Sequence, residues 1–327
     1  MSGAQKGVKK IMVKKRIGID VGGTNVKIAL VTDEGQIIYS NSVPTRAEMG
    51  YEYTVNNIKG AIYELMKETK TETKDIEGIG FGFPGQVDCD NGIVKLLPNI
   101  PGWVNVPIAK LIEDEFHIPT RIDNDARCAA LGELYAGAGK GCKNLVCVTV
   151  GTGVGSGLII NGKVVRGASN AAGEIGHIKL QMHDGPMCGC GDTGCMEAFV
   201  SAPSIVAMAK DYINGGKSAK FRELANPEIS AYIVAEAAKA GDKVAQRIFK
   251  KMGEYLGIGL ASVVNLLNPE RVIIGGGVAD AGEIFLEPVR RTLKERAMEI
   301  AGGAVEVVPA QLGDTAGVIG ASLLIEN

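Results

Sequence analysis

Short apolar runs separated by glycine turns open the chain. Ile17–Ile19 leads into Asp20-Val21-Gly22-Gly23-Thr24, Val26–Val31 follows, the chain turns at Asp33-Glu34-Gly35, and Gln36–Tyr39 resumes the run. Glycine turns of that length join antiparallel neighbours, so this stretch predicts a three-stranded meander. From 52 to 69 the period changes: Val55, Ile58, Ile62, Leu65 and Met66 recur at helical spacing and predict an amphipathic helix. Ile76–Phe83 then reads as a strand ending at Pro84-Gly85, Pro107–Phe116 as a helix, Thr120–Ile122 as a strand, Asp123-Asn124-Asp125 as a loop and Ala126–Ala136 as a helix.

At Leu145 the opening pattern returns. Leu145–Val150 is an apolar run, Gly151-Thr152-Gly153 a turn, Gly155–Ile160 a second run, Asn161-Gly162 a hairpin signal and Lys163–Arg166 a third strand. With an offset of 128 residues Gly23-Thr24 overlies Gly151-Thr152 and Leu30 overlies Leu158, which predicts an internal duplication. Downstream, Ser204–Ile213, Ile229–Ala240 and Lys243–Leu267 have helical periods. Arg271–Ile274 is a buried strand running into Gly275-Gly276-Gly277, Ile284–Met298 a helix, Val305–Pro309 a strand and Thr315–Leu324 a last apolar helix.

At 327 residues the chain exceeds one ordinary core, and two domains are expected. A net charge of −2 gives no reason to expect nucleic acid or a membrane as partner. The basic tail Lys6, Lys9, Lys10, Lys14, Lys15, Arg16 lacks the apolar stretch of a secretion signal, and no run reaches the roughly 18 apolar residues of a membrane span. Cys89, Cys128, Cys142 and Cys147 lie among apolar residues and read as reduced thiols of a cytoplasmic protein.

The densest chemistry lies in 173–197, where Glu174, His177, Cys188, Cys190, Cys195 and Glu197 crowd together. Three thiolates and an imidazole are a set that tetrahedral Zn²⁺ takes, with glycines 189, 191 and 194 allowing the sulfurs to converge. His177 is the expected nitrogen ligand and His183 the alternative, which lacks a glutamate at matching spacing. The glycine turns at 22–24 and 151–153 feed strands rather than helices, which excludes a dinucleotide fingerprint. Singly such turns are ordinary hairpins. As a duplicated pair beside Gly275–Gly277 they read as phosphate cradles, with Asp20 at a strand end able to hold Mg²⁺. Gly215-Gly216-Lys217-Ser218 imitates the end of a Walker motif but has Asp211 at the required upstream glycine, and reads as a loop. Asp125 before a helix would ordinarily be a cap. Beside two phosphate turns it becomes the candidate base for phosphoryl transfer to an alcohol.

Asp20-x-Gly-Gly-Thr24, Asn124-Asp125-Ala126, Gly151-Thr-Gly153, Glu174-x-x-His177 and Cys188-x-Cys-Gly-x-x-Gly-Cys195-x-Glu197, in that order, resemble the ROK family of sugar kinases and repressors. Leu97-Pro-Asn-Ile-Pro-Gly-Trp103 is similar to a segment of its bacterial glucokinases. The resemblance implies an actin-like ATPase (ribonuclease H-like) α/β fold: a smaller domain of 1–125 with 314–327 and a larger one of 126–313, around a cleft. It implies ATP with Mg²⁺ at Asp20, Gly22, Gly23, Thr24, Gly151, Thr152 and Gly153, with Gly275, Gly276 and Gly277 along the adenosine. It implies a hexose held by Gly85, Asn99, Asn124, Asp125, Glu174, His177 and Glu197, with Asp125 as general base. His177 there serves both zinc, with Cys188, Cys190 and Cys195, and the sugar. Glucose is the implied substrate; fructose, mannose and N-acetylmannosamine are the alternatives, and a homodimer or homotetramer is expected. A sugar-sensing repressor is the reading from a different class, and the sixteen or so residues before the first strand leave no space for a DNA-binding domain. Two positions depart from the family pattern: Asp123, where Glu is common, and Arg127, where Asn often stands.

Overall fold

The computed structural model describes residues 14–98, 100–215 and 228–326. Lys6, Lys9 and Lys10 of the basic tail, Asn99 and the 216–218 part of the Walker-like loop lie outside them.

Two five-stranded mixed sheets carry the architecture. The first comprises β1 (Lys15–Val21), β2 (Asn25–Thr32), β3 (Ile37–Pro44), β4 (Ile76–Phe83) and, after an inserted small sheet of β5 (Gln86–Asp88), β6 (Ile93–Leu96) and β7 (Val104–Val106), β8 (Thr120–Asn124). Its order is β3-β2-β1-β4-β8. The second comprises β9 (Leu145–Val150), β10 (Val154–Ile160), β11 (Lys163–Val164), β12 (Arg271–Gly275) and β13 (Glu306–Pro309), in the order β11-β10-β9-β12-β13. Each sheet begins with an antiparallel meander and ends with two parallel strands, so the orders superimpose strand for strand. The duplication expected from the paired glycine turns is therefore a duplication of whole sheets.

Burial follows the predicted faces. In α1 (Tyr51–Thr69) Val55, Ile58, Ile62 and Leu65 pack into the core of the first sheet. The long helix Lys243–Leu267 and the helix Glu283–Arg296 share the core of the second. The inserted sheet was not expected. Its signal is the Asp90-Asn91-Gly92 turn, where Gly92 has φ +67°, between Val87 and Val94, both buried. It seats the single tryptophan, Trp103, against Phe83 with ring centroids 5.4 Å apart.

One boundary shifts with a consequence for chemistry. After α2 (Ile108–Phe116), β8 runs through Asn124 and the helix α3 (Asp125–Ala136) follows at once, so the expected loop does not exist. The N-cap is Asn124, whose Oδ1 accepts from the N–H groups of Ala126 and Arg127 at 3.0 and 3.4 Å. Asp125 is thereby the first helical residue, not the cap.

The last helix, Ala316–Ser322, lies on the first sheet at backbone contact distance. A Cβ on Gly18 would sit 1.9 Å from Val318 O, and one on Gly80 1.8 Å from Ala321 O. Neither carbonyl can swing aside without breaking its helix. Gly80→Ala is therefore expected to cost about 3 kcal/mol, at the upper end of overpacking penalties. Urea unfolding should show that loss, and limited proteolysis should cut the C-terminal helix first.

Candidate active site

β1 and β8 both end at the cleft between the sheets, and each delivers a carboxylate. Asp20 and Asp125 line a cavity of 390 Å³ with Lys27, Thr149, Gly275–Gly277, Asp280 and Asp314. Burial, and then the nearby Asp20, push Asp125 up to about 7. Burial also raises Asp20, against the opposing pull of Lys27. Two desolvated carboxylates on one cavity are a hard-oxygen site suited to a divalent cation such as Mg²⁺.

Lys27 is a residue the sequence argument missed. It faces Asp20 in the β1–β2 register, and its ammonium donates to Asp314 O at 3.2 Å. Among the described residues it is the one basic side chain lining this cavity. The available signal was its position: Lys27 lies seven residues after Asp20, and strand alternation across a tight turn returns such a residue to its partner's side.

A second cavity, of 540 Å³, adjoins the first at Gly277 and Asp280. Gly151 and Thr152 line it with Ala202, Ile205, Tyr232 and Phe249, so its character is apolar. The structure thus brings Gly151-Thr152 and the glycines 275–277 to one site. Nothing lies within 4 Å of where a Cβ on Gly151 or Gly277 would be, which leaves that backbone open to a ligand. Gly22, Gly23 and Thr24 line neither cavity. They form an exposed turn closed by Gly22 N–H donating to Asn25 O at 2.9 Å, and Thr45 Oγ1 donates to Gly22 O at 2.6 Å.

On the other side of Asp125, Gly85, Arg127 and Glu174 line a third cavity of 490 Å³ together with Asp88, Asn91 and Lys95. Asn124 is already committed. Besides capping α3, its Nδ2 donates to Phe83 O and Gly85 O, each at 3.4 Å. It shapes the turn at Gly85 more than it offers an open amide. Glu197 is also engaged: Oε2 accepts the Val154 N–H at 2.8 Å, and Oε1 lies 3.4 Å from Cys188 Sγ.

His177, Cys188, Cys190 and Cys195 converge with all four donor atoms within 4.8 Å of one another. Cys190 Sγ and Cys195 Sγ are 3.8 Å apart, and Cys188 Sγ is 3.7 Å from His177 Nδ1. A tetrahedron with metal–sulfur and metal–nitrogen bonds of about 2.3 and 2.05 Å has edges of about 3.8 and 3.5 Å, so the four donors fit Zn²⁺. Nδ1 faces the sulfurs, which leaves Nε2 for another partner. Lys179 donates to Cys195 Sγ at 3.2 Å, a cation against the sulfurs' negative charge. His183, the alternative nitrogen ligand, is not in the cluster.

Duplicated mixed sheets with strand-end carboxylates and glycine turns facing a shared cleft define the actin-like ATPase fold. Within it the chain belongs to the ROK family, which it matches over residues 16–327. It is 37% identical over 313 residues to a glucokinase of Halalkalibacterium halodurans, covering 95% of this chain and 94% of that one. It is 33% identical to a xylose repressor of Caldicellulosiruptor bescii, covering 94% of this chain and 77% of the repressor. A ROK glucokinase of Streptomyces griseus in complex with glucose and AMPPNP is similar in structure, with a TM-score of 0.79, 35% identity, and coverage of 95% of this chain and 98% of that one.

The raised Asp125 has a consequence for stability. The folded carboxyl holds its proton up to about pH 7, whereas the unfolded chain releases it near 3.9. The destabilisation is absent below the unfolded value and grows as pH rises through the folded one. Asp125→Asn removes the charge, so its Tm should exceed that of the native protein at pH 8, with the gap closing towards pH 4. A pH-independent difference in thermal unfolding would contradict this.

Proposed function

We propose that the protein is an ATP-dependent hexose kinase that phosphorylates glucose at its primary hydroxyl, with Asp125 as general base. One observation carries the reading: Asp125, pushed up to about 7 by burial and Asp20, lines the 390 Å³ cavity and also feels the charge of Glu174. A base of that strength takes a proton from a hydroxyl near neutral pH and contributes roughly 10²–10⁴-fold. Relatives at 34–37% identity that are named glucokinases support glucose as substrate.

On this reading the adenosine lies in the 540 Å³ cavity along Gly275–Gly277, and the phosphates reach into the 390 Å³ cavity past Gly151–Gly153. The turn at Gly22, Gly23 and Thr24 closes over them from the opposite sheet. Asp20 would hold Mg²⁺, directly or through water, and the bound ion supplies charge neutralisation at the transferring phosphoryl oxygens. Lys27 leaves Asp314 to add a second positive charge there. Asp125 accepts the hydroxyl proton as that oxygen bonds the γ-phosphorus and the bond to ADP breaks. Asn99, Glu174, His177 and Glu197 pair the remaining hydroxyls with Gly85, and Asn124 fixes the turn. The unit of 1–125 with 314–327 closes on that of 126–313 and excludes water, the competing acceptor.

Zn²⁺ would be held by His177, Cys188, Cys190 and Cys195 as a closed structural site with no open coordination position. It would fix His177 Nε2 and Glu197 towards the sugar.

A coupled ADP-release assay with glucose, fructose, mannose and N-acetylmannosamine tests the reading. Glucose should be phosphorylated fastest, with kcat/KM rising as pH increases through about 7. Asp125→Asn should lose about 10²-fold or more in kcat while hexose binding survives. If no hexose is phosphorylated at millimolar concentration the kinase reading fails. Sugar binding without turnover would instead favour the regulator class represented by the xylose repressor.

A separate expectation concerns the metal. The purified protein should contain zinc at close to one equivalent per chain by elemental analysis. A strong chelator should lower both Tm and hexose affinity. Zinc-free protein with an unchanged melting curve would remove the metal from the account.

A further inference from the structure

Asp123 is fully buried and does no chemistry in the mechanism above, yet it gathers four donors from three parts of the chain. Its Oδ1 accepts Arg127 Nη1 at 2.9 Å, the Asn124 N–H at 2.8 Å and the Cys89 thiol at 3.4 Å. Its Oδ2 accepts Arg166 Nε at 2.7 Å. Arg127 is itself buried, and its other terminal nitrogen donates to Asn170 O and Ala172 O at 2.6 and 3.2 Å. Both arginines therefore tie the loop 166–173 to a single carboxylate, one through a side chain and one through its backbone. On its far side the loop meets the inserted sheet, where Asn170 Nδ2 donates to Asp90 Oδ2 at 3.4 Å.

Besides the arginines, the loop is held by the Ala172 N–H donating to Arg166 O at 3.0 Å and, at its end, by Ser156 Oγ donating to Gly173 O. It carries Gly167 at φ +73°, Asn170 at +58° and Gly173 at +97°, and Ala168 and Ser169 are exposed. It ends at Glu174, two residues beyond Ala172, and Glu174 lines the 490 Å³ cavity with Arg127. We propose that Asp123, acting through Arg127 and Arg166, is a positioning residue that sets the place of Glu174 at the sugar and so the affinity for the hexose. The inference rests on the hexose-kinase reading for Glu174's partner, and only there.

The chemistry explains the pairing of residue types. A guanidinium fork can hold a carboxylate with one nitrogen and carbonyls with the other, which an ammonium on a flexible stem cannot do. Asp123 reaches Arg127 across the junction of β8 and α3, the carboxylate near the strand's end and the guanidinium in the first turn of the helix. The same Asp123 fixes the N–H of Asn124, so the base segment and the sugar-side loop share one anchor.

The test uses Arg127→Met, Arg127→Lys, Glu174→Gln and the double variant Arg127→Met/Glu174→Gln in the full chain. Arg127→Met should speed amide hydrogen exchange across 166–174 and raise the hexose KM by about tenfold or more. It should leave the KM for ATP within about twofold and kcat within about threefold. Arg127→Lys, which keeps the charge but not the fork, should give the same pattern. In the Glu174→Gln background the same replacement should change hexose KM by less than about threefold, because the group it positions is already lost. Unchanged exchange at 166–174 overturns the proposal whether or not any hexose is turned over. A hexose KM effect that is fully additive with Glu174→Gln overturns it too, as does a parallel loss of both KM values and kcat. A native protein that phosphorylates no hexose defeats the kinase reading instead, and the exchange measurement still decides whether Arg127 holds the loop.

Discussion

Contact between α3 and the C-terminal helix Ala316–Ser322 is the constraint on which the site depends. A Cβ on Gly320 would lie 1.6 Å from Cys128 O and one on Gly132 2.3 Å from Ala316 O, so the two helices meet backbone to backbone. The C-terminal helix is at the same time pressed onto β1 and β4 at Gly18 and Gly80. Asp20 closes β1 and Asp125 opens α3, and this packing fixes the distance between them. Glu133, buried in the third turn of α3, adds a polar clamp: its carboxylate accepts the N–H groups of Ala138, Gln311 and Leu312 at 2.8, 3.0 and 2.8 Å. These N–H groups lie on the two chain segments that leave α3 and enter the last helix. One side chain therefore ties both connections between the sheets. A buried carboxylate is tolerated there because it accepts hydrogen bonds from three N–H groups.

Charge in the cleft is arranged the opposite way. Asp20 and Asp125 sit close to each other with few donors, and both hold their protons more tightly than a solvated carboxyl. Lys27 opposes the rise at Asp20 but also pairs with Asp314, and both aspartates stay raised. The cleft thus keeps an unmet demand for positive charge that a cation carried in with a nucleotide would meet. Asp123, by contrast, lies within a few residues of Asp125 but has two arginines and is structural. Two aspartates separated by one residue take different roles because one faces partners and the other faces a cavity.

Elements with a strong period were legible in the sequence. The meanders, α1 and the 243–267 helix follow directly from apolar spacing, and the paired glycine turns disclosed the duplication before any strand order was known. The inserted β5–β7 sheet was not legible because its strands are three or four residues long, too short for an alternation to stand out. The Asp125 boundary was misplaced because Asn and Asp are both good caps and sit side by side. The cysteine cluster was legible from spacing alone, since close sulfur spacing leaves few folds. Lys27 and Arg127 were not identified as contributors to their cavities. Their roles depend on which strand or loop lies opposite, and that is decided by tertiary packing.

Glu197 joins the two halves of the chemistry. Its Oε2 accepts the Val154 N–H, and a Cβ on Gly153 would meet that oxygen at 2.5 Å, so the second glycine turn is moulded around this carboxylate. Its Oε1 lies beside Cys188 Sγ, inside the thiol cluster. Five residues on, the Ala202 N–H donates to Gly151 O at 2.7 Å, so the helical segment after the cysteines is bonded to the same turn. A thiol at Cys188 can donate to Oε1, whereas a metal-bound thiolate cannot, and the oxygen is then available to a hydroxyl. The cysteine-rich stretch and the Gly151–Gly153 turn are separate motifs in the sequence but one structural unit in the fold. Whatever fixes the sulfurs also fixes the backbone of the Gly151–Gly153 turn.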